Sequence, residues 1–442
     1  MDIMETYNLI IEASVIIILS FLFSEISKKT NIPSVLLLIA LGVILKVILD
    51  QFGYQLPDLM KLLTLLGTLG LIMIVLEAAL ELKLERDKYI PIAKSLFIAF
   101  VGLMLSIWVA AIILKEMVPG MTNQLAWIYA TPLSILSSAI IIPSVESLKP
   151  AKREFHIYES TFSDILGIIV FYFLLNQAGF SEHAPVDAAH AHDGHHASEG
   201  GGIIAYSLNN LLTMLASLVA SYIIVLVFQR IKTHVKLFLL IAVLLLLYAV
   251  GKKLHLSSLI IILVFGLMIA NLKLFFRGPL RKWLHLDKVQ NLYEGLHVVT
   301  METAFVVRTF FFVIFGLTIS LTSLFSIQVA MISLLIVVSI YLIRLLILLI
   351  FVGRDITPQL YIAPRGLITI LLFYAIPEEA QIEGFDDAIL LFVIISTALI
   401  MTFSLIAERN RANRAIRQAN REPVGLEKWT APTIEESDQD RG

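Results

Sequence analysis

The sequence predicts an all-α polytopic membrane protein: about thirteen transmembrane helices, arranged as inverted repeats with two broken, crossing helices. The first reason is bulk composition. Of 442 residues, 58% are hydrophobic and only 15% are charged, and the mean hydropathy is +0.88. A soluble domain carries about 25% charged residues, so this chain lacks the polar surface to cover itself in water. The second reason is patterning: runs such as 13–23, 238–250 and 331–343 are apolar nearly all round, which suits lipid contact and not a half-wet helix. The third is a pair of proline-interrupted helices, one near the end of each half of the chain.

Apolar runs long enough to cross about 30 Å of hydrocarbon fall at residues 8–24, 33–50, 60–81, 91–114, 125–147, 155–176, 203–229, 236–250, 256–273, 293–320, 326–352, 357–376 and 386–407. The start of the chain is acidic and lacks the positive region of a signal peptide, so the first run reads as a retained helix. The transmembrane domain occupies 1–407, with repeats over about 8–176 and 236–407 joined by the helix at 203–229. Residues 177–202 form a His-rich external loop, in which His183, His190, His192, His195 and His196 lie beside Asp187 and Asp193. Their irregular spacing amid Ala and Gly reads as a solvated loop rather than a metal site. The tail, 408–442, is polar, and is expected to be helical at first and then disordered.

Charges in alternate loops set the orientation. One set holds Lys28, Lys29, Lys83, Lys88, Lys149, Lys152, Arg153, Arg230, Arg281, Lys282, Arg354 and the arginines of the tail, while the other has little beyond Lys61, Lys115, Lys252 and Lys253. That asymmetry places the N-terminus outside and the C-terminus in the cytoplasm. An odd number of crossings requires the same opposition.

The proline breaks come next. The fifth run contains Thr131-Pro132 and, two turns on, Pro143 after Ser137-Ser138; the twelfth contains Thr357-Pro358 and Ala363-Pro364-Arg365-Gly366. Interrupted helices at corresponding places in two halves point to a binding site at their crossing near the midplane. Thr131, Ser137, Ser138, Thr357 and Pro364 are therefore the broken-helix candidates.

Ionisable residues inside membrane helices cost about 2.5–3.5 kcal/mol each on insertion scales, so each is a functional candidate. The sixth run carries Glu159, Ser160, Ser163 and Asp164, the third Glu77, the tenth Glu302 and Arg308, the eleventh Arg344 and the twelfth Arg365. Ser160 and Asp164 are four residues apart and share a face, which offers a hydroxyl and a carboxylate as hard oxygen ligands for a small monovalent cation. Glu159 and Ser163 lie one step round, where the carboxylate could neutralise an arginine from elsewhere. A purely structural role, helix held to helix by hydrogen bonds, is the competing reading for the two serines.

Taken in order, several motifs resemble the monovalent cation:proton antiporter superfamily, nearer its NhaP-like sodium/proton branch than the branch with paired aspartates. They are Asn31-Ile32-Pro33 through Gly42, Gly70-Leu71 through Glu77-Ala78-Ala79-Leu80-Glu81, Glu159-Ser160-Thr161-Phe162-Ser163-Asp164, Phe310-Phe311-Phe312 to Gly316-Leu317, and Pro364-Arg365-Gly366. The resemblance implies a homodimer of thirteen-helix protomers in a prokaryotic plasma membrane, each with a mobile six-helix core moving as an elevator. It implies that Asp164 binds cation or proton, that Ser160 and Glu77 are further ligands, and that Glu159 pairs with Arg365 to brace the core. Two departures stand out. Ser163 replaces the family's asparagine and is too short to bridge in the same way, and the Thr-Asp-Pro signature of the fifth helix is missing, Ser137, Ser138 and Ala139 lying where it should be.

The function expected is therefore exchange of a monovalent cation (sodium first, potassium or lithium otherwise) for protons. Because only Asp164 titrates at its position on that helix, exchange is expected to be electroneutral. A transporter of an organic solute or anion with the same architecture is the alternative, which the missing signature favours. The absence of cysteine excludes disulfides and thiolate metal sites. A net charge of −2 with no basic, aromatic-interleaved stretch gives no sign of nucleic-acid binding. The chain has no HExxH or nucleophile-elbow pattern, so no enzyme, cofactor or metal is expected.

Overall fold

The structure is a computed structural model and describes residues 3–30, 32–51, 60–84, 88–145, 148–180, 215, 217–228, 236–253, 258–275, 286–318, 326–382 and 384–419. Residues 181–202 of the histidine-rich loop, with all five of its histidines, lie outside these residues. All regular elements among them are helical, and none is a strand. The first half comprises α1 (Ile3–Thr30), α2 (Ser34–Gln51), α3 (Met60–Glu81), α4 (Tyr89–Met117), α5 (Asn123–Ser134), α6 (Ser138–Ser144) and α7 (Pro150–Gln177). A connecting helix, α8 (Ser217–Phe228), precedes the second half. That half comprises α9 (Lys236–Lys253), α10 (Ser258–Ala270), the short α11 (Leu272–Phe275), α12 (Leu286–Thr318), α13 (Ile327–Phe351), α14 (Leu367–Tyr374) and α15 (Ala388–Ala419).

Local chemistry sets several of these ends. Thr122 caps α5 by accepting the Leu125 N–H at 3.3 Å. Pro150 opens α7, where its missing N–H costs no helical hydrogen bond, so this helix starts earlier than the apolar run at 155 suggests. The short eighth run is a full helix, α9. The last helix continues past 407 to Ala419, beyond the apolar segment, as a polar extension. Seven described spans are long and apolar enough to cross a membrane, the broken α5–α6 crossing (Asn123–Ser144) among them, and four shorter apolar helices accompany them.

The helices pack as two groups. In one, α12 lies against α2 and α3, and α3 also packs on α10, which meets α9. Here the backbones of α2 and α12 nearly touch: a Cβ on Gly42 would collide with the Val313 carbonyl, and one on Gly316 with that of Ile39. Glycine is needed at both positions for that approach. In the other group α4 packs on α5, α7 and α13, and α13 packs on α15. The groups meet where α3 faces α7 and α14.

Loops of the lysine- and arginine-rich set gather at one end. Lys88 bonds Glu154 at 2.9 Å, Lys152 bonds Asp355 at 2.9 Å, the Tyr158 hydroxyl donates to the Lys83 carbonyl, and Asn271 donates to the Leu82 carbonyl at 2.7 Å. Asp355 is fully exposed, and the Lys152 ammonium beside it holds its carboxyl below the usual carboxylate range.

Candidate functional site

The fifth crossing is broken between α5 and α6, at residues 135–137, and the twelfth has an extended stretch, 362–366, before α14. The two breaks cross. Ser137 N–H donates to the Pro364 carbonyl at 3.0 Å, and a Cβ on Gly366 would run into the Ser137 hydroxyl and Ile140. Prolines explain why helix stops here: Pro132 sits in the last turn of α5, and Pro364 holds its neighbours extended. Ser137, Ser138 and Pro364 are at the crossing. Thr131 and Thr357 are not. Thr131 is still helical and returns its hydroxyl to the Trp127 carbonyl at 2.8 Å. Thr357 lies at the basic end, where its carbonyl accepts from Lys152 at 2.7 Å.

Helix α7 runs beside the crossing and presents Ser163 and Asp164 to it. Ser163 Oγ accepts the Leu136 N–H at 3.0 Å, so this short serine does reach the break. Asp164 Oδ2 accepts the Ser138 N–H at 3.2 Å, against the first turn of α6. Asp164 Oδ1 has no hydrogen-bond partner although the side chain is only 1% exposed. Asp164 borders a cavity of about 20 Å³ whose other walls are apolar, among them Val75 and Ala78 of α3, Leu259 and Leu263 of α10, and Ile368 of α14. A space of that size admits about one water-sized occupant. Asp164 therefore stands at the seam between the two helix groups.

Ser160 is fully buried and donates its hydroxyl to the His156 carbonyl at 2.7 Å, leaving its oxygen lone pairs available. Glu77 meets Arg308 of α12 at 2.8 Å, so its charge is already paired within its own helix group.

The expected Glu159–Arg365 pair is replaced by a different one. Both Glu159 oxygens are met by Arg344 of α13, at 2.8 and 2.9 Å, and Arg344 Nε also donates to the Gln359 carbonyl at 3.0 Å. Arg365 instead turns its guanidinium to backbone: Nε to the Leu133 carbonyl at 2.9 Å and Nη1 to the Ala363 carbonyl at 2.9 Å, while its own N–H donates to Thr397 at 3.1 Å. The physical reason is that carbonyls left without partners at the end of α5 attract the arginine nearest to them. His156, buried one turn before Glu159, brings Nδ1 to 3.4 Å from that carboxylate. A second cavity, of about 30 Å³, lies among Ser106, Ser134, Glu159, Ser163, Arg344 and Arg365. Sequence reading had placed Arg344 in the membrane without a role and had passed over His156 and Thr397. As the single charged residue in the 25 residues of α13, Arg344 was the one with a usable signal. Among the described residues no three His, Asp or Glu side chains converge as metal ligands.

A family profile described as sodium/hydrogen exchanger, transmembrane, matches residues 15–407. The fold is similar to the structure of the sodium proton antiporter MjNhaP1 from Methanocaldococcus jannaschii at pH 8, with a TM-score of 0.64 and 20% identity, covering 92% of this chain and 99% of that one. It is likewise similar to the structure from an electron-microscopy map of that antiporter, with a TM-score of 0.62 and 18% identity, covering 98% and 100%. At such identities the likeness speaks for the fold. No curated protein matches the sequence.

Proposed function

The chain belongs to the sodium/hydrogen exchanger family, and from that premise we propose that it is a secondary active antiporter that exchanges a monovalent cation for protons at Asp164. Sodium is the first candidate, with potassium and lithium as the alternatives. The observation that carries this reading is Asp164 itself: a buried carboxylate with one oxygen unbonded, beside a cavity one small occupant in size. An isolated buried carboxylate is strongly disfavoured unless neutralised, and either a proton or a cation does this. Both cannot sit on the same oxygen, so binding one displaces the other. Ser160 adds an oxygen from the same helix, and Glu77, paired with Arg308, a carboxylate from across the seam.

Alternating access follows from where the seam lies. The group built on α4–α7 and α13–α15 carries Asp164 and slides as an elevator against the group built on α1–α3, α9, α10 and α12, which also supplies the homodimer contact. The protein works in the plasma membrane of a prokaryote, with the basic loop end in the cytoplasm. Exchange is electroneutral, because Asp164 carrying a proton and Asp164 carrying a monovalent cation have equal net charge.

Purified protein in proteoliposomes decides the matter: sodium, lithium and potassium are added in turn and proton flux is followed. Asp164→Asn is expected to purify folded and to show no exchange, and in the wild type the apparent cation affinity should rise with pH as protons cease to compete. Wild-type flux through Asp164→Asn would overturn the assignment.

A further inference from the structure

Thr161 is fully buried, and its hydroxyl has no hydrogen-bond partner. A threonine in a membrane helix ordinarily returns its hydroxyl to the carbonyl four residues back, though Thr300 and Thr369 are likewise buried and unbonded here, neither of them on the α7 face that lines the Asp164 cavity. Thr131, Thr303 and Thr402 make that bond, at 2.8, 2.7 and 2.8 Å. For Thr161 that carbonyl belongs to Ile157, which receives the Ser160 hydroxyl at 3.3 Å. An unbonded buried hydroxyl costs free energy and calls for an occupant or a purpose.

Its position supplies one. The α7 residues that line the Asp164 cavity are Asp164, Ile165, Ile168 and Ile169. Thr161 precedes the first three by three, four and seven residues, the spacing of a single helix face. It continues the cavity-facing stripe one turn toward the basic end, whereas Ser160 sits on the flank with its proton committed. Side chains three apart on a helix stand about 5–6 Å apart at Cβ, a gap that one cation fills when it takes an oxygen from each side at hard-cation distances of about 2.3–2.6 Å. The other cavity walls named above are hydrocarbon. A partly dehydrated cation at Asp164 therefore needs neutral oxygens from nearby, and Thr161 Oγ1, one helical turn away on the same face, is unengaged.

We infer that Thr161 is a further ligand of the transported cation, its hydroxyl oxygen holding the ion one helical turn from Asp164 and helping to set which monovalent cation is carried. This rests on the antiport reading. Thr161→Val keeps the shape and removes the oxygen, and Thr161→Ser keeps the oxygen. In proteoliposomes Thr161→Val is expected to raise the cation KM by about tenfold, the scale of one lost polar ligand, with the maximal rate little changed and the order of sodium, lithium and potassium altered. Thr161→Ser should restore the wild-type values. Wild-type KM and wild-type ion order in Thr161→Val overturn the inference while leaving antiport at Asp164 intact. A wild-type protein that moves no protons on addition of any of the three cations defeats the antiport reading itself. Should Thr161→Val not purify as folded protein, the same two readouts on Thr161→Ala decide.

Discussion

Replacing Arg344 by methionine leaves the Glu159 carboxylate, 2% exposed, without the guanidinium that meets its oxygens at 2.8 and 2.9 Å. Removing one member of a buried ion pair costs about 3–5 kcal/mol, because the survivor is left charged and unsolvated. The Arg344 bond to the Gln359 carbonyl is lost as well, a charged hydrogen bond worth about 1.5–3 kcal/mol that partly overlaps the first figure. Glu159→Leu should cost a similar amount, since it strands Arg344 instead. Combining the two substitutions replaces a pair by apolar groups of like volume, a change that is often close to neutral. The double variant should thus be far more stable than the sum of the singles, with a coupling of about 3 kcal/mol or more. Unfolding in detergent, followed by the fluorescence of the chain's 4 tryptophans, gives the four corners of that cycle. A parallel cycle with Arg365→Met should show much weaker coupling to Glu159, because Arg365 spends its bonds on carbonyls. Additive losses for Glu159 and Arg344, or a larger coupling to Arg365, would refute the pairing and with it the account of what holds α7 to α13.

Two further outcomes bear on the transport cycle. Ala78 and Ile168 line one small cavity from the two helix groups, and the chain has no native cysteine; oxidising an Ala78→Cys, Ile168→Cys variant should arrest exchange, and reduction should restore it, whereas full exchange by the cross-linked protein would rule out sliding at this seam. Electroneutrality predicts that sodium-driven proton flux in proteoliposomes is unaffected by an imposed potential, although each net charge moved would feel about 2.3 kcal/mol per 100 mV; a transient current on a supported membrane would show that a second group besides Asp164 releases a proton.

The spans were legible because hydrophobic length is a local property: the run at 60–81 coincides with α3, Met60–Glu81. Asp164 was legible for a similar reason, a carboxylate among apolar neighbours being conspicuous in one dimension. Partners were not. Glu159 and Arg344 are separated by 185 positions, and Glu77 and Arg308 by 231, so nothing local says which acid meets which arginine. Proline marked both breaks to within a turn. It did not say which hydroxyl would stand at them, since Thr131 satisfies itself on its own helix and Thr357 is drawn to Lys152.

The missing Thr-Asp-Pro signature takes on a physical meaning in this geometry. A helix ends with roughly half a negative charge in its unbonded carbonyls and begins with half a positive charge in its unbonded N–H groups. At the crossing Arg365 covers the Leu133 and Ala363 carbonyls, so the carbonyl-rich side is balanced by one cation. The N–H side is balanced from the neighbouring helix: Ser163 takes the Leu136 N–H and Asp164 takes that of Ser138. A carboxylate on the broken helix would duplicate work that α7 already does. The same bonds tie the α5–α6 break to α7, and the Ser137–Pro364 bond ties the second break to the first, so both breaks and Asp164 are linked by hydrogen bonds. In the proposed cycle an ion at Asp164 would therefore reach the other side by movement of this linked unit past α3 and α10, and not by opening of the breaks.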